Sequence, residues 1–239
     1  MVNPKVRERL IDSLNYLRKM DFFKDYSDLT SEGILNKMLC NEINYASSWD
    51  YEEPDIFSLH GAQELIPYGF YLQRSIEEKP ERWMEISNFE IDLDLIPFDT
   101  RRVTVELSET WIDDSMGPAI LRRLARISRG VFQPTNVSGK WLIRPRERRG
   151  WSVQEVSFDF KGEGRSIRIV LQEDYLVSLG LGELNEMIRD TGYQYYSLDT
   201  SKTYGDRIVM VVLTEEEKEK LVKERGWEFG PLSELVTTS

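Results

Sequence analysis

The sequence predicts an α+β fold. A helical, aromatic N-terminal region, residues 1–87, is expected to pack on an antiparallel sheet built from two ββαββ-like units, 88–150 and 151–239, the second ending in an extra helix. Three observations carry this expectation. Apolar residues recur at helical spacing in the first third of the chain. From residue 88 the period changes to two. A shift of 64 residues then lays one strand–helix pattern on the next.

The first helix is expected in "NPKVRERLIDSLNYLRKM", where Val6, Leu10, Leu14 and Leu17 share a face. Asn3 can cap it and Pro4 suits the first helical position. A second helix, capped by Thr30 or Ser31, turns Ile34, Leu35, Met38 and Leu39 inward. The segment 44–73 is aromatic and broken by Pro54, Gly61, Pro67 and Gly69, which predicts loop with brief helical turns. "EEKPERWMEI" predicts one further helix.

"NFEIDLDL" alternates Phe89, Ile91, Leu93 and Leu95 with Glu90, Asp92 and Asp94, the pattern of a half-buried strand. "RRVTVELSETW" alternates likewise. "GPAILRRLARISRG" is an amphipathic helix closed by Gly130, and "VFQ" and "GKWLIRP" follow as strands. The pattern then restarts with strands in "VQEVSFDF" and "RSIRIVLQEDY". A helix ending at Gly192 and strands "YQYYSL" and "DRIVMVVLT" complete it. The 64-residue shift sets Val103, Val105 and Leu107 opposite Ile167, Ile169 and Leu171, and Ile120 and Leu124 opposite Leu184 and Ile188. A shift of 65 sets 89–95 opposite 154–160. The last helix is marked by Thr214 as N-cap, Glu217 in the capping-box position and Gly226 as C-cap.

Composition narrows the function classes. Hydrophobic residues at 40% and charged residues at 31% fit a globular protein. No apolar run approaches the roughly 20 residues that span a bilayer, and "MVNPKVRERL" lacks the apolar core of a signal peptide. Cys40 is the only cysteine, which excludes an intrachain disulfide and a Cys-based zinc site. The expectation is a cytoplasmic chain with no membrane partner. The formal net charge of -11 argues against nucleic acid. It is unevenly spread: residues 1–100 hold 10 Lys/Arg against 20 Asp/Glu, 101–170 hold 14 against 8, and 171–239 hold 7 against 14. Within 118–149 there are nine basic residues and one acid, a block that either meets the acidic parts of the fold or forms an anion or partner site.

His60 is the only histidine, so no His-pair metal site is possible, and a Cys40–His60 pair is required by nothing in the spacing. Glu90, Asp92, Asp94, Glu109 and Glu173 are candidate metal carboxylates whose plainer reading is the wet face of a sheet. "SFDFKGEG" holds Asp159 and Lys161 in the local form of a nuclease half-site, with Asp113 and Asp114 as the acids that would complete it. Lys161 to Gly164 also reads as a hairpin turn. No glycine-rich phosphate loop is present and no cofactor is expected. The aromatic segment 45–71 has the composition of a binding surface or of a covering for the sheet. In "WLIRPRERRGW", Arg144, Arg146, Arg148 and Arg149 stand between Trp141 and Trp151, as a connection between units or a site for an anion or partner.

These features favour a non-catalytic protein-binding or regulatory protein, such as an acidic inhibitor or immunity-type partner of a basic protein. A metal-dependent phosphodiester hydrolase and a small-anion-binding regulatory domain, with its ligand in a groove between the repeats, are the alternatives.

Overall fold

The computed structural model describes residues 2–46, 68–107, 114–144, 150–172, 175–201 and 207–230. The chain is α+β, with helices and two antiparallel sheets. It divides into two compact units, Met1–Thr100 and Arg101–Ser239.

The first unit is helical: α1 (Pro4–Lys19), α2 (Ser31–Leu39), α3 (Tyr68–Glu78), α4 (Pro80–Glu85) and α5 (Asn88–Leu95). The Asn3 side chain accepts the Lys5 N–H, with Pro4 opening the helix, and Val6, Leu10, Leu14 and Leu17 are fully buried. Thr30 caps α2 by accepting the Gly33 N–H at 3.0 Å.

Residues 88–95 correct the strand expectation. They form α5, started by a complete capping box: the Ser87 hydroxyl accepts the Glu90 N–H at 3.1 Å, and the Glu90 carboxylate accepts the Ser87 N–H at 2.8 Å. Two orphan donors of the first turn are thereby satisfied at once. The alternation misled because this helix is enclosed on nearly every side. Phe89, Ile91, Asp92, Leu93, Asp94 and Leu95 are all buried, so no polar stripe reveals the 3.6 period. Asp92 and Asp94 are therefore not a wet sheet face, and Tyr68 Oη lies 3.4 Å from Asp94 Oδ1.

The second unit contains β1 (Val103–Leu107), α6 (Met116–Ile127), β2 (Thr135–Ile143), β3 (Trp151–Phe160), β4 (Glu163–Gln172), β5 (Tyr175–Ser178), α7 (Leu181–Ile188), β6 (Tyr193–Ser197), β7 (Arg207–Thr214) and α8 (Glu215–Arg225). "VFQ" is not a strand. Phe132 is fully buried and its N–H is tied to the Ser128 hydroxyl at 3.2 Å, which closes the turn after α6.

The strands form two antiparallel sheets, ordered β1-β7-β6 and β2-β3-β4-β5. This order corrects the two ββαββ units. Residues 88–95 supply no strand, and the strands assigned to each unit are shared between the sheets: β1 lies beside β7, while β2 pairs with β3 and β3 with β4. The 64-residue shift does match strand to strand and helix to helix, β1 to β4 and α6 to α7. The 65-residue shift matches a helix to a strand.

α6 and α7 pack into one apolar core with both sheets. The N-terminus of α6 is clamped on β3 by Gln154, which is fully buried. Its Oε1 accepts the Gly117 N–H at 2.8 Å and its Nε2 donates to the Asp114 carbonyl at 3.0 Å. Glycine is required at 117 because a Cβ there would collide with Gln154 Oε1 and Val156 Cγ2. Tyr195, also fully buried, donates its hydroxyl to the Leu124 carbonyl at 2.9 Å, joining β6 to α6. Arg129, at the end of α6, holds both carboxylate oxygens of Glu217 at 2.7 and 3.0 Å. That bidentate pair absorbs one of the nine cations of 118–149 within the fold.

Candidate interaction surface

Of the hydrolase group, the described members Asp114, Asp159 and Lys161 each have a separate partner. Asp113 lies outside the described residues. Asp114 gives its backbone carbonyl to Gln154, and its carboxylate sits 3.7 Å from Arg144 Nη2. Asp159 is five residues further along β3 from Gln154, about 17 Å on an extended strand, and its carboxylate accepts the Asn136 side-chain N–H at 2.6 Å. Lys161 occupies the β3–β4 turn with Gly162, both in the left-handed region at φ 52° and 82°, the backbone of a type I′ hairpin. Its ammonium reaches Asp190 at 3.0 Å rather than Asp159. The Lys161 hydrogen bond and charge lower the Asp190 pKa. Among the described residues no group of three or more His, Cys, Asp or Glu could hold a metal ion.

Glu90 is spent on the α5 cap, and Glu109, Glu173 and His60 lie outside the described residues. Cys40 is exposed at the end of α2. In the aromatic segment, Tyr45 and Tyr68 stack at 3.9 Å between centroids and Tyr45 meets Phe98 edge-on. Phe70 and Tyr71 stay about half exposed on α3.

The stretch around Trp141 and Trp151 does form a surface. Arg146, Arg148 and Arg149 lie outside the described residues, while the Arg144 side chain is 73% exposed. Trp141 leans on the apolar core, paired across the ladder with Gln154. A register shift between Trp141 and Ile143 turns the next side chains outward. Leu142, Ile143 and Trp151 are 44%, 51% and 48% exposed, an apolar cluster beside Arg144 at one end of the four-stranded sheet.

From that cluster the outer face of the sheet runs in cross-strand rows. Gln154, Val156, Phe158 and Phe160 point to the core, so Val153, Glu155, Ser157 and Asp159 point outward. The register then sets Ile143, Val153 and Val170 in one row, Lys140, Glu155 and Arg168 in the next, and Ser138, Ser157 and Ser166 in the third. Beyond them Asn136, Asp159, Arg165 and Ser166 line a shallow open depression. Val153 and Val170 lie outside the site residues expected from the sequence. For Val170 a signal is present: "RIVLQ" breaks strict alternation with three apolar residues together, which places one on the polar face.

On the first sheet, by contrast, the outer edge of β6 is closed. The Asn185 side chain accepts the Tyr195 N–H at 2.7 Å and donates to the Tyr195 carbonyl at 3.1 Å, standing in for a neighbouring strand. No helix of the described residues is long and apolar enough to cross a membrane. Comparison with known proteins gives no match, whether to a family model, a curated protein or a solved structure.

Proposed function

We propose that this chain is a non-catalytic protein-binding or regulatory protein, with the exposed end of the four-stranded sheet as its contact surface. One observation carries the reading: Leu142, Ile143 and Trp151 are each about half exposed in a single cluster rimmed by Arg144. Tryptophan and arginine around an apolar centre are the residue types that dominate binding energy at protein interfaces. Three more arginines follow Arg144 within five positions of sequence. The chain as a whole carries a net charge of -11, which suits a partner of net basic charge, as for an inhibitor or immunity-type protein. The arginine rim suits acidic side chains around that partner's apolar socket.

The test is recovery of a partner from the native host with the wild-type chain and with the double variant Leu142→Ser/Trp151→Ser. A partner held by the wild type and lost by the variant supports the reading. The same partner retained by the variant places the contact elsewhere, and a chain recovered without any partner overturns the function.

A further inference from the structure

We propose that the outer face of the four-stranded sheet is a self-complementary surface that takes a second copy of this chain. The argument rests on the row pattern and needs no other protein, so it stands apart from the reading above. In the central row the signs alternate: Lys140 on β2, Glu155 on β3, Arg168 on β4. Consider a twofold axis lying along the strands between β3 and β4. It sets β3 of each copy over β4 of the other. Glu155 then meets the second copy's Arg168, and Arg168 meets its Glu155, so both ion pairs come from one pairing rule, as a closed twofold interface requires.

The neighbouring rows obey the same operation. Val153 meets the second copy's Val170 on one side of the charged row. Ser157 meets its Ser166 on the other, where small side chains let the sheets approach to about 10 Å. An acidic partner would find Glu155 opposed and a basic one would find Lys140 and Arg168 opposed. A copy related in this way meets both Glu155 and Arg168 with the opposite sign.

β5 lies beside only residues 170–172 of β4. The overlap is therefore four strands, about 19 Å, wide at that end and two strands, about 10 Å, wide over the rest of a length of about 27 Å. The contact buries on the order of 700 Å² in total. That is below the usual size of a specific interface, and the dimer is expected to be weak and concentration-dependent.

Sedimentation velocity tests it. Between about 5 and about 500 µM the wild type is expected to move from one chain toward two by mass action. Glu155→Arg and Arg168→Glu each place like charges together at both pair sites and are expected to remain single chains at all these concentrations. Mixing the two variants in equal amounts restores opposite signs at both sites, as does Glu155→Arg/Arg168→Glu in one chain, and both are expected to recover the dimer. Both exchanged positions lie on the outer face of the sheet, and circular dichroism of each variant verifies the fold. A wild type that stays a single chain throughout overturns the proposal, as do single variants that associate like the wild type or a mixture that fails to recover association. None of these outcomes bears on recovery of a different partner protein.

Discussion

Gln154 Oε1 lies 2.8 Å from the Gly117 nitrogen, and the same amide donates to the Asp114 carbonyl at 3.0 Å, so one buried side chain satisfies two backbone groups at the entry to α6. Replacing Gln154 with Leu leaves the buried Gly117 N–H without that partner, while the Asp114 carbonyl, on an exposed residue, can turn to water. The expected loss is about 1–3 kcal/mol, from the one buried group left unsatisfied. Gly117→Ala is expected to destabilise by about 1–3 kcal/mol through overpacking. Urea unfolding of each variant, read at the transition midpoint with unchanged slope, measures both.

The capping box of α5 gives a second test. Ser87→Ala removes the acceptor for the Glu90 N–H and is expected to cost about 1 kcal/mol. Were residues 88–95 a strand, the substitution at an exposed turn would change almost nothing. Thermal unfolding followed by circular dichroism separates the two outcomes.

Asn185→Ala opens the edge of β6. Two backbone groups of Tyr195 lose their partners, at about 1–2 kcal/mol in total if water reaches them. An unpaired edge also templates association, so light scattering on warming is expected to rise earlier in the variant than in the wild type. A variant that loses stability without added scattering would mean that the amide braces β6 rather than guarding it.

Glu215 gives a pH dependence. Its carboxylate accepts the Tyr196 hydroxyl at 2.7 Å and the Lys218 ammonium at 3.0 Å, and the hydrogen bond from Tyr196, followed by that from Lys218, lowers its pKa below the ordinary 4.5. A depressed folded-state pKa contributes stability that is full above the unfolded value and lost as pH falls through the folded one. Glu215→Gln is therefore expected to flatten the fall in stability below pH 4.5. Tyr196 moves the other way, raised above 10.0 by burial first and by Glu215 second. Its contribution is present below pH 10 and lost as pH rises through the folded value. Denaturant midpoints across both pH ranges, for the wild type and Glu215→Gln, check the two signs.

The helices with one wet face were legible in the sequence because burial on one side writes a stripe, as in Val6, Leu10, Leu14 and Leu17. The cap of α8 was legible for a different reason. Thr214 and Glu217 satisfy each other's backbone within four residues, so the whole signal is local. α5 carries the same local signal in Ser87 and Glu90, but its enclosed apolar positions mimic a strand. Strand order was not legible, because alternation reports which face a residue takes and nothing about which strand lies beside it. The surface was half legible. Trp151 and Arg144 stood out by type, whereas the row Lys140, Glu155 and Arg168 exists only once the register of β2, β3 and β4 is known.

The pairing of β1 with β7 has a consequence for how the chain is made. Val103 lies opposite Val211, so the first strand of the second unit emerges from the ribosome more than a hundred residues before its neighbour. At about 5–20 residues per second that interval is roughly 5–20 s. The four-stranded sheet pairs its own neighbours in sequence and can form during the wait. The first sheet cannot, and its apolar strand "VTVEL" stays without its pairing partner until synthesis has passed Thr214. Nascent chains arrested before residue 207 are therefore expected to bind chaperones that hold extended apolar segments, and chains released just beyond the end of α8 are expected to let go of them.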